Sequence, residues 1–131
     1  MALNKFPTAH CIWGWPANMT MADFPSSYAN YVPLIAQVSV DSYGQYVGLN
    51  ARGIQLEVLF QNPTGTCDLE LYVAVDGVDT KVWSKTGLTP TTCDSIFIGN
   101  VERVDLAGQP VKIHVVNLQN GWVSVNARPN A

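Results

Sequence analysis

Residues 69–84, LELYVAVDGVDTKVWS, decide the fold class. Leu69, Leu71, Val73 and Val75 alternate with Glu70, Tyr72, Ala74 and Asp76. A two-residue period sets the first group on one face of a strand and the second on the other, as a sheet with one buried face requires. Asp76-Gly77 then falls where a tight turn is needed. A two-residue hairpin loop wants positive φ at its centre, which Asp tolerates and Gly adopts freely. The stretch therefore predicts two antiparallel strands and the turn between them.

The same pattern runs outward in both directions. Residues 34–40 and 45–49 flank Asp41-Ser42-Tyr43-Gly44, a predicted four-residue turn. Ile54, Leu56, Val58 and Phe60 alternate against Gln55, Glu57, Leu59 and Gln61, and Asn62-Pro63-Thr64-Gly65 turns the chain. Residues 86–92 read as a loop, 95–98 and 101–106 as short strands, and 107–110 as a turn. Val111, Ile113 and Val115 then alternate against Lys112, His114 and Val116. Asn120-Gly121 is a second hairpin signal before a last strand over 122–127. This makes about eight or nine strands, with turn signals at the spacing of a sandwich or barrel. No helical periodicity lies between them, which excludes a parallel βαβ sheet. The expected fold is all-β, an antiparallel β-sandwich of jelly-roll or immunoglobulin-like topology over residues 34–131.

Residues 1–33 differ from the rest. They hold only two charges, Lys5 and Asp23, but half of the prolines (Pro7, Pro16, Pro25, Pro33). They also carry Phe6, Trp13, Trp15, Phe24, Tyr28 and Tyr31. Proline fixes φ and removes a donor, so the segment is expected to be an extended arm, with a short strand at 11–15. A helical turn over 25–31 is compatible with the spacing of Phe24, Tyr28 and Tyr31. A polar disordered tail would lack the tryptophans. These six aromatics need burial, either on the chain's own sandwich or on a neighbouring subunit, and they are the candidate interface.

Composition narrows the function. The chain has 131 residues, enough for one domain with its own core. Charged residues make up only 13%, against about 25% in ordinary soluble domains. A surface so poor in charge suits a protein partly covered by others. The formal net charge is -3 and the lysines and arginines are scattered, so nucleic acid is not an expected partner. No apolar run reaches membrane-helix length, so no membrane partner is expected. The N-terminus lacks an uninterrupted apolar stretch and makes a poor signal peptide, which points to synthesis in a cytoplasm. Cys11, Cys67 and Cys93 are odd in number and include no CxxC. They read as ordinary thiols, with a Cys67–Cys93 bridge as the alternative.

Chemistry is sparse. His10 and His114 have no ligand-like spacing, and neither metal nor cofactor is expected. Glu57 with Glu70, or Asp76 with Asp79, are the carboxylate pairs that hydrolysis would need, and Asp76, Asp79 or Asp94 could offer oxygens to calcium. Turn geometry explains the aspartates more simply. There is no G-x-S-x-G and no phosphate-binding glycine loop. Tyr72, Trp83 and Trp122 are placed opposite the predicted core set, a pattern that serves a protein interface or a sugar-stacking platform. The expectation is a non-enzymatic structural protein, a homo-oligomer or partner of capsid subunits. It would be a bacteriophage virion component such as a capsid decoration, cement or minor structural protein, made in the host cytoplasm and located in the virion. The alternative is a carbohydrate-binding module or lectin, cytoplasmic or extracellular.

Overall fold

The computed structural model describes residues 11–13, 32–90, 96–99 and 105–130. All regular structure among them is β. The strands are β1 (Cys11–Trp13), β2 (Val32–Val38), β3 (Ser42–Tyr43), β4 (Gly53–Phe60) and β5 (Thr66–Val75). They continue with β6 (Val78–Leu88), β7 (Ile96–Ile98), β8 (Val111–Gln119) and β9 (Val123–Asn130). Seven of these are antiparallel strands of three residues or more; β3 has two residues, and β1 runs parallel to its partner. The seven fall short of the eight or nine expected: of the strand expected at 101–106 only 105 and 106 are among the described residues and neither is strand, and the strand expected at 45–49 is reduced to a single bridge at Val47.

Two sheets form. In the first the order is β1-β4-β9-β2, and β7 also pairs with β4. β7 sits along residues 54–56 of β4 and β1 along 58–60, so two short segments share one edge. In the second sheet the order is β3-β8-β5-β6. The sheets do not close into a barrel. From β2 onward the chain changes sheet at every connection except the β5–β6 hairpin. Ile54, Leu56, Val58, Phe60, Val123 and Val125 from the first sheet meet Cys67, Leu69, Leu71, Ile113 and Val115 from the second in one core cluster. Two layers of alternating strands are the simplest way to give both inner faces a partner.

The β5–β6 hairpin forms as its sequence requires. Val75 pairs with Val78 across Asp76 (φ 52°) and Gly77 (φ 79°). Cys67, Leu69, Leu71 and Val73 are buried, whereas Val75, at the turn, is exposed. One feature of this hairpin overturns a placement. Leu71 pairs with Trp83 but Tyr72 pairs with Lys81, so Val82 is the extra residue of a β-bulge. The bulge shifts the phase of β6 by one residue, and Trp83 joins the core at 9% exposure rather than the outer face.

Turn residues do not always mark hairpins in this chain, because most connections change sheet. Asn120-Gly121 joins β8 to β9, which lie in different sheets and do not pair. Residues 41–44 are not a turn between paired strands; they carry the chain from β2 to the edge of β8. Gly44 passes so close to β2 that a Cβ there would run into the Leu34 carbonyl oxygen. Residues 86–88 extend β6 rather than opening a loop. The turns at 62–65 and 106–109 do form, each closed by a backbone hydrogen bond of 2.9 Å. Cys67 is a buried free thiol, so it makes no bridge to Cys93, and burial pushes its pKa up to about 12.

The burial of Trp83 gives a direct check. Trp83→Ala is expected to lower unfolding free energy by about 3–5 kcal/mol in denaturant titrations. Trp122→Ala, at a half-exposed site, is expected to lower it by about 1 kcal/mol or less.

Candidate functional site

The outer face of the second sheet carries a connected group of aromatic and charged side chains. Strand register assembles it. Tyr43, His114 and Glu70 are direct neighbours across β3, β8 and β5. Lys112, Tyr72 and Lys81 form the adjacent row across β8, β5 and β6. The two rows are two residues apart along β8 and β5, so they share the face turned from the core.

The contacts are specific. The Tyr43 ring stacks on the His114 imidazole, with centroids 3.7 Å apart and planes 4° from parallel. His114 Nδ1 lies 2.9 Å from Glu70 Oε1, and Tyr72 OH donates to the same oxygen at 2.8 Å. Lys81 Nζ stands 3.5 Å from Glu70 Oε2. Alongside, Lys112 Nζ pairs with Asp79, which also accepts from Tyr46 OH. The same ammonium lies 5.0 Å from the ring centroids of both Tyr43 and Tyr46, within cation–π range. His114 and Tyr72 hydrogen bonds hold Glu70 below the usual carboxylate range. Lys112 and then Tyr46 do the same for Asp79. The carboxylates push both phenols up, Tyr72 and Tyr46 each to about 12. The result is a pre-organised platform with an aromatic ring, Tyr43, 56% exposed at its edge.

The outer face of the first sheet is different in kind. Every residue of β4 is buried, including Gln55, Glu57 and Leu59, which alternate away from the core. Ser124 and Asn126 on β9 are buried beside them. Asn126 Nδ2 donates to Glu57 Oε1 at 3.1 Å, and Arg128 donates to Gln55 Oε1. Gln55 Nε2, Glu57 Oε2 and Asn126 Oδ1 are buried without a hydrogen-bond partner among the described residues. Burial pushes the Glu57 carboxyl up from 4.5 to about 7, against the Asn126 hydrogen bond.

The residues singled out in the sequence are thus dispersed. Glu57 and Glu70 belong to different sheets and sit on opposite outer faces, so the two carboxylates cannot share a substrate. Asp76 is a turn residue, while Asp79 belongs to the Lys112 pair. Tyr72 and His114 are on the platform. Trp83 is in the core, and Trp122 lies beyond the far end of β8, about 23 Å along the strand from Lys112. The sequence does not single out Tyr43 or Tyr46: Tyr43 lies in a stretch that reads as a turn but forms an edge strand, and Tyr46 in a stretch that reads as a strand with no marked face. No group of three or more potential metal ligands occurs among the described residues. His10, Cys93, Asp94, Phe6, Trp15, Phe24, Tyr28 and Tyr31 lie outside the described residues, and of Trp13 only the backbone is described.

Compared with known protein families, with curated proteins and with solved structures, the chain matches none.

Two titrations follow. Ultraviolet titration of the tyrosines should find two phenols ionising near 12, and Glu70→Gln should return one of them toward 10. For Glu57, the folded state keeps its proton to about 7 while the unfolded chain releases it near 4.5. Between these values the folded state binds more protons, so stability falls as pH rises across that window, on the order of 3 kcal/mol in all. Glu57→Gln should remove this fall, as read by chemical denaturation at pH 5 and pH 8.

Proposed function

We propose that the protein is a non-enzymatic structural subunit of a virion, of the kind that decorates or cements a bacteriophage capsid or serves as a minor structural protein. What carries this reading is the strand order. The order β7-β4-β9-β2 in one sheet and β3-β8-β5-β6 in the other supports a jelly roll over an immunoglobulin-like sandwich, the two topologies expected. Jelly rolls are built from two Greek keys and are the architecture of many viral capsid domains. The inference from architecture to role is one of analogy. The surface adds support: Val40, Val75, Val78 and Tyr43 are all exposed, and Val75 and Val78 crown one hairpin tip. Such side chains serve contacts between subunits. Assembly would proceed by mass action, through the sheet faces and the aromatic segment 1–33, with each contact stabilising its neighbours.

A second reading rests on the platform. Jelly rolls also serve as lectin domains. Tyr43, braced by His114 and exposed at the edge of the sheet, would present its ring to a sugar, and Glu70, Lys81 and Asp79 stand within the same group. Trp83, being buried, takes no part.

Light scattering on the purified chain separates the two. The subunit reading expects a trimer or larger species, and expects the Tyr43→Ala or Val78→Ser variant to shift it toward monomer with an unchanged circular dichroism spectrum. A monomer at every concentration that binds glycans, with binding lost in Tyr43→Ala, would replace the first reading with the second.

A further inference from the structure

We propose that Asn120 is a site of spontaneous chemical modification. The Gly121 amide nitrogen closes on the Asn120 side chain, ammonia leaves, and water opens the ring to aspartate or isoaspartate. The change releases a tie between the β8–β9 connection and the turn that joins β4 to β5. The inference does not depend on the function proposed above.

The reaction has three requirements: a following residue that does not crowd the ring, a backbone nitrogen that is not engaged, and access for water. Asn120-Gly121 is the one Asn-Gly pair in the chain. Glycine has no Cβ to crowd a five-membered ring that includes its own nitrogen. The Gly121 nitrogen has no hydrogen-bond partner among the described residues. Asn120 is exposed and Gly121 half-exposed. Nucleophile and electrophile belong to adjacent residues, so the step is intramolecular.

Neighbouring asparagines fail on one count or another. Asn62 precedes Pro63, whose nitrogen carries no hydrogen to give up. Asn117 is exposed, but the Leu118 nitrogen that follows it donates to Asp41 Oδ1 at 2.9 Å. Asn126 is buried, and its Nδ2 donates to Glu57.

The step balances with water as the sole co-reactant. The Gly121 nitrogen loses its proton to solvent and bonds to Asn120 Cγ. The Cγ–Nδ2 bond breaks and that nitrogen takes up a proton and leaves as ammonia, which gives a cyclic imide. Water then adds to one of the two ring carbonyls. Opening on one side restores the backbone and leaves aspartate; opening on the other routes the backbone through Cβ and Cγ, as isoaspartate.

The surroundings make this more than a change of charge. Asn120 Nδ2 donates to the Thr64 carbonyl oxygen at 3.1 Å, and the Gln61 nitrogen donates to the Trp122 carbonyl oxygen at 3.0 Å. These bonds hold the connection against the turn at 62–65. Between them Gly121 passes so close that a Cβ there would lie 3.2 Å from Asn62 Cβ. The nitrogen lost as ammonia is the donor of the first bond. Aspartate in its place sets a carboxylate toward the Thr64 carbonyl, so that two acceptors meet with no hydrogen between them. Isoaspartate lengthens the connection by one methylene where it packs against Asn62. β8 and β9 lie in different sheets, so the loosened point is one where the two layers are joined.

Mass spectrometry tests the site on the whole chain. The protein is held folded at pH 8 for weeks and digested, and the peptide that holds Asn117, Asn120 and Asn126 is fragmented. The mass gain that marks exchange of NH for O is expected at 120 on the order of tenfold faster than at 117 or 126. Equal gain at the three positions, or none at 120, would overturn the assignment. Asn120→Asp, which presents one of the two products from the start, tests the consequence. Its unfolding equilibrium constant is expected to rise roughly 2- to 10-fold in denaturant titrations, the effect of losing one hydrogen bond. An Asn120→Asp chain as stable as the parent would overturn the released tie. The mass measurement uses the unaltered chain and stands whether or not the variant folds.

Discussion

The structure depends on one strand that has no free face. β4 buries Ile54, Leu56, Val58 and Phe60 toward the second sheet, and Gln55, Glu57 and Leu59 on the opposite side. A strand of this kind sits in the interior of its sheet, not at an edge. β9 occupies one edge of it along its whole length, and β1 and β7 divide the other. No backbone edge of β4 is left for another chain, which removes the most hazardous surface of an all-β protein. The remaining edges are irregular. β2 carries two register shifts against β9, and β3 is two residues long. Irregular and short edge strands discourage open-ended pairing.

The second sheet obeys the opposite rule, one face buried and one half-exposed, and that freedom lets it carry a platform. Register does the assembling. Because Tyr43 faces His114 and His114 faces Glu70, residues from three distant parts of the chain meet without any loop being shaped for the purpose. Each charge in the group has a partner: Glu70 takes His114, Tyr72 and Lys81, and Asp79 takes Lys112 and Tyr46. Exposed pairs of this sort contribute little to stability singly. Their effect is to hold the rings in place, so that a binding partner meets an ordered surface and loses less entropy on docking.

The legible part of this fold was the part with a strict two-residue period. The β5–β6 hairpin, the inward set on β4 and the alternation in β8 follow from sequence, since each places apolar residues where only a buried face can take them. What escaped notice depended on single residues that break the period. Val82 is apolar and unremarkable, yet as a bulge it moves Trp83 from the outer face to the core. Tyr43 was hidden because Asp, Ser and Gly at 41, 42 and 44 read as a turn, whereas the edge of β8 recruits Ser42 and Tyr43 as a strand. Asn120-Gly121 has the chemistry of a hairpin, with φ of 65° and 116°. The same positive φ also serves a chain that turns out of one sheet into the other, and local sequence does not distinguish the two. Sheet assignment is a long-range property, decided by which faces need cover.

The polar row under β4 shows how such a fold can fix its own register. Glu57 and Asn126 are direct cross-strand neighbours, and so are Gln55 and Arg128. Their hydrogen bonds join the same pairs. An apolar row in these positions would be cheaper to bury, since Glu57 keeps a raised pKa and one oxygen without a partner among the described residues. It would also be tolerant of slippage. The inner face is apolar on both strands, Ile54, Leu56, Val58 and Phe60 on β4 and Val123, Val125 and Ala127 on β9, and a shift of two residues would keep it largely so. It would not preserve Glu57 opposite Asn126 or Gln55 opposite Arg128. A slip by one residue is already forbidden, because it would turn the whole inner set outward. The apolar alternation therefore excludes odd shifts and the polar pairs exclude even ones, and the two together leave a single pairing for the strand on which both layers rest.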